Sequence, residues 1–140
     1  MQYNPAYEQQ ILSLINAARG DAGLKPLAMQ SQLNAAALAH STDMACFDYV
    51  SHIGTDGTDW FRRIAAQGYP YAVALENIYV GNPAFGGDAQ GAFTWWMNSP
   101  IHHANIMNPQ VTQVGISYVF KPDSGYGGYY TLNLAQPQDQ

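Results

Sequence analysis

The chain has 140 residues, 47% of them apolar, and a formal net charge of −5. That size and composition suit one packed domain over residues 1–140 and exclude disorder. Only Arg19, Lys25, Arg62, Arg63 and Lys121 are permanent cations against ten acidic residues, too few for the clustered basic face that nucleic acid requires. No apolar run is long enough to cross a bilayer, and the lone Cys46 excludes an intramolecular disulfide.

Asn4-Pro5 is a helix start, a side-chain cap followed by Pro at the first helical position. Tyr7, Ile11, Leu14, Ile15 and Ala18 continue it at helical spacing, and Gly20 or Gly23 ends it. Leu24 to Leu27 is extended around Pro26. An Ala-rich helix is predicted from Ser31 to Phe47, with Leu33, Ala37, His40 and Met44 on one stripe. Its small side chains predict a close approach to a neighbouring element. On that helix His40 reads as a core histidine held by a backbone carbonyl, Ser41 as no nucleophile, and Cys46 as a small buried hydrophobe.

Residues 48–57 form a loop, after which Thr58 or Asp59 caps a short helix carrying Trp60, Phe61, Ile64 and Ala65. Glu76 to Val80 reads as a short strand and 81–87 as a loop. A further helix carries Ala89, Phe93, Trp96 and Met97 and stops before Pro100, and Ser99-Pro100 starts a helical turn with His102 at its third position. Thr112 to Phe120 alternates cleanly, and with a strand from Tyr129 to Leu134 it forms a hairpin. Helices flanking a small antiparallel sheet make an α+β arrangement. Tyr126, Tyr129 and Tyr130 beside the Gly-rich loop are candidates for an exposed binding rim.

Glutamate occurs only at Glu8 and Glu76. A carboxylate inside the apolar stretch Ala74-Leu75-Glu76-Asn77-Ile78 costs several kcal/mol to bury unless it is paired. His52 and His102 are its expected partners, with Ser51 and Asn77 in support. Two imidazoles and a carboxylate are the donors of a catalytic zinc site, where His52 and His102 would hold the metal and Glu76 would act as general base. Without metal the same groups make a proton-shuttling His–carboxylate pair, or a polar network that only fixes the packing of loops. His103 adjoins His102 on a helical turn, so one imidazole faces inward and the other solvent. Asn77 and Asn105 are expected to tie loops through their amides.

The order of these segments resembles the CAP superfamily, also called SCP/TAPS or pathogenesis-related-1, in its short bacterial branch. The resemblance rests on the helix Ile11 to Arg19, Leu24-Lys25-Pro26-Leu27, the Ala-rich helix through His40-Ser41-Thr42-Asp43-Met44-Ala45, Ser51-His52 with Gly54, and Glu76-Asn77-Ile78. It continues through Trp96-Met97-Asn98-Ser99-Pro100-Ile101-His102-His103-Ala104-Asn105-Ile106-Met107, Val114-Gly115-Ile116 and the closing aromatic strand. It implies an α-β-α sandwich with a small antiparallel sheet between helices, and an extracellular protein whose export signal is absent from this chain.

The resemblance also implies a cavity of two His and two Glu that holds Zn in some members. Here His52 and Glu76 stand in their expected places. The second Glu position falls at Ser99 and the second His near Gln110, while His102 belongs to the bacterial Ser-Pro-x-His pattern. The expected function is a monomeric binding or interaction module for a small molecule, lipid or glycan, with a cavity lined by His52, Glu76 and His102. The alternatives are a metal-dependent hydrolase using those three residues and a structural network without ligand.

Overall fold

The structure is a computed structural model and describes residues 1–139. Asn4 caps the first long helix, α1 (Pro5–Asp21), its side-chain oxygen accepting from Tyr7 N–H at 3.2 Å, after a two-residue strand β1 (Gln2–Tyr3). A second short strand, β2 (Ala28–Met29), leads into α2 (Ser31–Phe47), whose capping residue is Gln30. Then follow α3 (Trp60–Ala66), capped by Asp59, and the strand β3 (Tyr71–Val80). A 3₁₀ turn (Pro83–Phe85) precedes α4 (Ala89–Met97), α5 (Pro100–Ile106), β4 (Gln113–Phe120) and β5 (Gly128–Pro137).

The sheet runs β1-β4-β5-β3, antiparallel throughout except for β2, which joins β4 in parallel. Strand alternation divides the core into two layers. Val114, Ile116 and Tyr118 of β4, with Tyr130, Leu132 and Leu134 of β5, pack with Ile11 and Ile15 of α1 and Ala92 and Trp96 of α4. The opposite face meets α2 through Ala135 against Leu33 and Ala36, and through Val119 and Tyr129 against Met44 and Ala45. This is the α-β-α sandwich expected from the sequence.

The close approach predicted for α2 is against β4. A Cβ on Gly115 would lie 2.1 Å from the Leu33 carbonyl carbon, so only glycine fits there. Between the same layers the Ser41 hydroxyl shares hydrogen bonds with Ser117 (2.6 Å) and Thr131 (2.7 Å), and Ser117 donates to the Ala37 carbonyl (2.9 Å). These buried hydroxyls satisfy one another.

Three expectations are corrected. β3 begins at Tyr71, five residues before the predicted start, because β5 runs on to Pro137 and supplies partners as far as Tyr71. Tyr129 and Tyr130 are fully buried, one in each layer, and only Tyr126 stands at the surface. Cys46 is exposed, because the buried stripe of α2 runs through His40, Ser41, Met44 and Ala45 and leaves Cys46 and Phe47 beyond it.

Arg19, counted above only among the permanent cations, is buried. Its guanidinium donates to four carbonyls, those of Lys25 (2.9 Å), Ile106 (2.8 Å), Asn108 (2.9 Å) and Val111 (3.2 Å), and so ties α1 to the segment after α5. Arg19→Met leaves these acceptors without their donor and lowers unfolding free energy by about 3 kcal/mol. The exposed Arg62→Met changes it by less than about 0.5 kcal/mol. Urea denaturation of both variants checks the contrast, and equal effects would refute the clasp.

Candidate functional site

β3 is the edge strand, and its outward carbonyls are covered by side chains in place of a further strand. Trp60 Nε1 donates to the Ala74 carbonyl (2.9 Å) and Trp96 Nε1 to the Ile78 carbonyl (3.0 Å), while Asn105 Nδ2 lies 3.5 Å from the Glu76 carbonyl. Segments from both helical layers therefore meet at this edge. The loop 48–59 and α3 come from the α2 side, and α4 and α5 from the other.

Glu76 pairs with Asn133 in the sheet register, on the α2 face of the sheet, and is buried. Its Oε1 accepts from His52 Nδ1 at 2.8 Å, and its Oε2 accepts from Arg63 at 2.8 Å and from Asn133 Nδ2 at 3.0 Å. Because a carboxylate only accepts, His52 donates to it through Nδ1–H. The His52 side chain is 39% exposed.

Burial pushes the Glu76 pKa up, but the His52 hydrogen bond and the Arg63 charge outweigh it and hold the group below its ordinary value. Arg63 also donates to the His52 carbonyl (3.0 Å) and the Thr58 carbonyl (2.8 Å), closing the loop over the carboxylate. His40 Nε2 donates to the Ser51 carbonyl at 2.7 Å, the backbone partner expected of it, and burial holds its imidazole pKa down. The Ser51 hydroxyl accepts from Ile53 N–H at 3.0 Å, so this residue shapes the loop.

Asn77 points to the other face, as alternation requires. Its Nδ2 donates to the His102 carbonyl (3.0 Å), and its Oδ1 accepts from Asn105 (2.9 Å), the loop-tying role expected of both amides. The His102 imidazole does not join Glu76. Its Nδ1 bonds the Ser99 hydroxyl at 2.7 Å, and its ring lies 5.0 Å from that of Trp95. Burial first, and His52 second, hold its pKa below the usual value. His103 is the exposed member of the pair and bonds the Met97 carbonyl (3.0 Å).

The zinc expectation does not fit these donors. Among the described residues no group of three or more His, Cys, Asp or Glu side chains is arranged to hold a metal. Both Glu76 oxygens are engaged, one of them by a guanidinium that would repel a cation. A depressed pKa also leaves Glu76 a poor general base. Arg63 is the residue the sequence reading missed, although it could have been found. A buried carboxylate needs a cation, and Arg62-Arg63 are the nearest cations in sequence to Glu76.

On the outer side of β3 lies a groove of about 310 Å³ lined by Val50, Ile78, Tyr79, Val80, Trp95 and His102. Trp96 is fully buried, whereas Trp95 is 49% exposed and forms a wall of this groove.

Residues 12–134 match the family described as CAP, the cysteine-rich secretory protein family. The chain is 36% identical over 114 residues to the uncharacterized protein YkwD of Bacillus subtilis, an alignment covering 81% of this chain and 43% of that protein. It is similar, at 30% identity and a TM-score of 0.79, to an extracellular protein containing an SCP domain from Bacillus anthracis, covering 91% of this chain and 39% of that one. An outer surface protein from Borrelia burgdorferi shares the fold, with a TM-score of 0.86 and 98% of each chain covered, at 16% identity. The chain spans less than half the length of the two Bacillus proteins. No helix among the described residues is long and apolar enough to cross a membrane.

Two measurements test the cluster. Glu76→Gln leaves Arg63 as a buried unpaired cation and costs about 3–5 kcal/mol, part of which returns in the double variant Glu76→Gln/Arg63→Met. A cost no larger than that of an exposed substitution would sink the buried ion pair. Acid weakens the fold in two stages. His40, ordinarily near 6.5, resists protonation when folded, so stability falls as pH drops below that value. Glu76, ordinarily near 4.5, stabilises fully above that value and loses its contribution as pH falls through its lower folded pKa. Urea midpoints should follow both stages, and the second should shrink in Glu76→Gln, with Asp43, held low by its Tyr49 and Thr55 hydrogen bonds, supplying the remainder.

Proposed function

The chain belongs to the CAP, or cysteine-rich secretory protein, family, and from that premise we propose that it is an extracellular binding module whose ligand lies in the groove beside β3. The carrying observation is the division of labour at this edge. Every oxygen of the Glu76 carboxylate is committed within the protein, while the half-exposed Trp95 and the His102 imidazole border open space. The His52–Glu76–Arg63 cluster is then the frame that fixes the loop 48–59, from which Val50 supplies one wall of the groove.

The groove's volume of about 310 Å³ stands at the lower end of the roughly 300–1,000 Å³ typical of small-molecule sites. Its walls are mostly apolar, with Tyr79 and Trp95 in contact at 5.7 Å between ring centroids. Ser99 occupies His102 Nδ1 and leaves Nε2 as the polar group for the ligand. The fitting ligand is a small apolar or aromatic molecule, such as a short lipid chain, with one hydrogen-bonding head. Support for an extracellular setting comes from the similar B. anthracis protein, which is described as extracellular.

Tryptophan fluorescence during titration with short-chain fatty acids and aromatic alcohols tests this reading. Saturable quenching is expected, with affinity reduced at least about tenfold by Trp95→Ala and by His102→Ala, roughly the cost of one lost anchor. Binding that survives both variants, or no saturation with any probe, would overturn the groove as the site.

A further inference from the structure

The groove beside β3 is lined by Ile78, Tyr79 and Val80 in succession. Successive side chains of a strand point to opposite faces, and here Ile78 and Val80 pack on the α2 side while Tyr79 packs on the other. A groove that touches all three therefore runs along the free edge of the strand, with the backbone as its floor. Gly81 and Gly128 exchange both of their backbone hydrogen bonds, at 2.9 and 3.1 Å. In an antiparallel ladder such pairs alternate with pairs whose N–H and C=O groups face away from each other. Tyr79 therefore bonds Tyr130, and the backbone groups of Ile78 and Val80 point out of the sheet. The bond from Trp96 Nε1 to the Ile78 carbonyl fixes the same orientation. Among the described residues, nothing accepts from the N–H of Ile78 or Val80, and nothing donates to the Val80 carbonyl.

The other edge of the sheet is closed. There β2 and β1 pair with the two ends of β4. Between them Asn34 Oδ1 accepts from Ile116 N–H (3.0 Å) and Glu8 Oε2 from Tyr118 N–H (3.0 Å). Edge strands are ordinarily blunted in such ways, or by charged side chains. At Ile78–Val80 neither device is present, since the groove lining carries no Lys, Arg, Asp or Glu.

We propose that the groove takes a short extended peptide segment, which pairs with β3 at Ile78–Val80 as an added strand and lays one apolar side chain against Trp95 and Tyr79. This rests on the groove being the ligand site, and it names the class of ligand. The spacing of the open groups selects a peptide. The N–H groups of Ile78 and Val80 stand about 6.8 Å apart along the strand and point across it, so each needs its own acceptor. A lipid or alcohol head offers acceptors at one point only. A second peptide backbone presents carbonyls at the same interval, with an N–H besides for the Val80 carbonyl. Main-chain bonds then supply affinity, and the aromatic wall a preference for an apolar side chain. The segment is short because Trp60 and Asn105 close the edge at the Ala74 and Glu76 carbonyls. A second copy of this chain does not fit, because its own β3 edge lies equally deep between Val50 and Trp95.

The test is amide hydrogen exchange, followed by NMR on the ¹⁵N-labelled protein with the capped peptide acetyl-Ser-Val-Phe-Val-Ser-amide. With peptide at about ten times its Kd, exchange at Ile78 and Val80 should slow about tenfold, the factor 1 + [L]/Kd set by the bound fraction. Ile116 and Tyr118, whose N–H groups are already accepted, should not change. An added strand bonds through every second residue. N-methylation of both valines and N-methylation of the phenylalanine should therefore differ, one abolishing the protection and the other leaving it. Equal effects of the two, or no protection at about 5 mM peptide, above the millimolar Kd of even a weak ligand, would overturn the proposal. Protection of both amides without peptide, rising with protein concentration, would overturn it in favour of a second copy. If fatty acids and aromatic alcohols saturate the groove and the peptide does not, this inference fails alone. If neither binds, the groove reading fails with it.

Discussion

The carboxylate of Glu76 is the constraint around which this edge of the molecule is arranged. A negative charge inside the sandwich is tolerable only if it is paired and its lone pairs are filled. The residues that do this come from separate segments: His52 from the loop after α2, Arg63 from α3 and Asn133 from β5. Filling one carboxylate therefore sets the position of the loop against the sheet. His40, reaching from α2 to the Ser51 carbonyl, adds a strut to the same loop. The charge is expensive to hold, but it specifies the arrangement of three elements at once.

Strand alternation then decides which groups can cooperate. Glu76 and Asn77 are adjacent, yet one faces α2 and the other faces α5. His102 rides on α5, held through its backbone by Asn77. It reaches the sheet's outer edge from the layer opposite to His52, and its imidazole turns toward Trp95 and Ser99. The cavity expected from His52, Glu76 and His102 thus resolves into a closed polar cluster on one face and an open aromatic groove beside the edge strand.

Much of the fold was legible because it depends on local periodicity. The Ala stripe of α2, the alternation of β4 and the caps at Asn4 and Asp59 are properties of neighbouring residues. The family's element order carried the sandwich itself. The site was half legible. Glu76 signalled its burial through the scarcity of glutamate, and His52 through the resemblance. Arg63 and Arg19 were hidden because an arginine's burial depends on which distant carbonyls or carboxylates gather around it. Cys46 and Tyr129 were misplaced for a related reason: exposure at a helix end or strand start is decided by what the next layer covers.

The charge count at the site closes within the chain. Two carboxylates facing two imidazoles hold an excess of negative charge that a divalent cation can balance. In this chain Ser99, where the resemblance would put a second carboxylate, bonds His102 Nδ1 through its hydroxyl. The one carboxylate left is neutralised by one guanidinium at 2.8 Å. A metal would add positive charge beside Arg63 with no oxygen of Glu76 free to meet it, so electrostatics favours the protein's own cation. Arg63 therefore does more than support His52. It neutralises the carboxylate from within the chain and, through the His52 and Thr58 carbonyls, ties that ion pair to the loop 48–59.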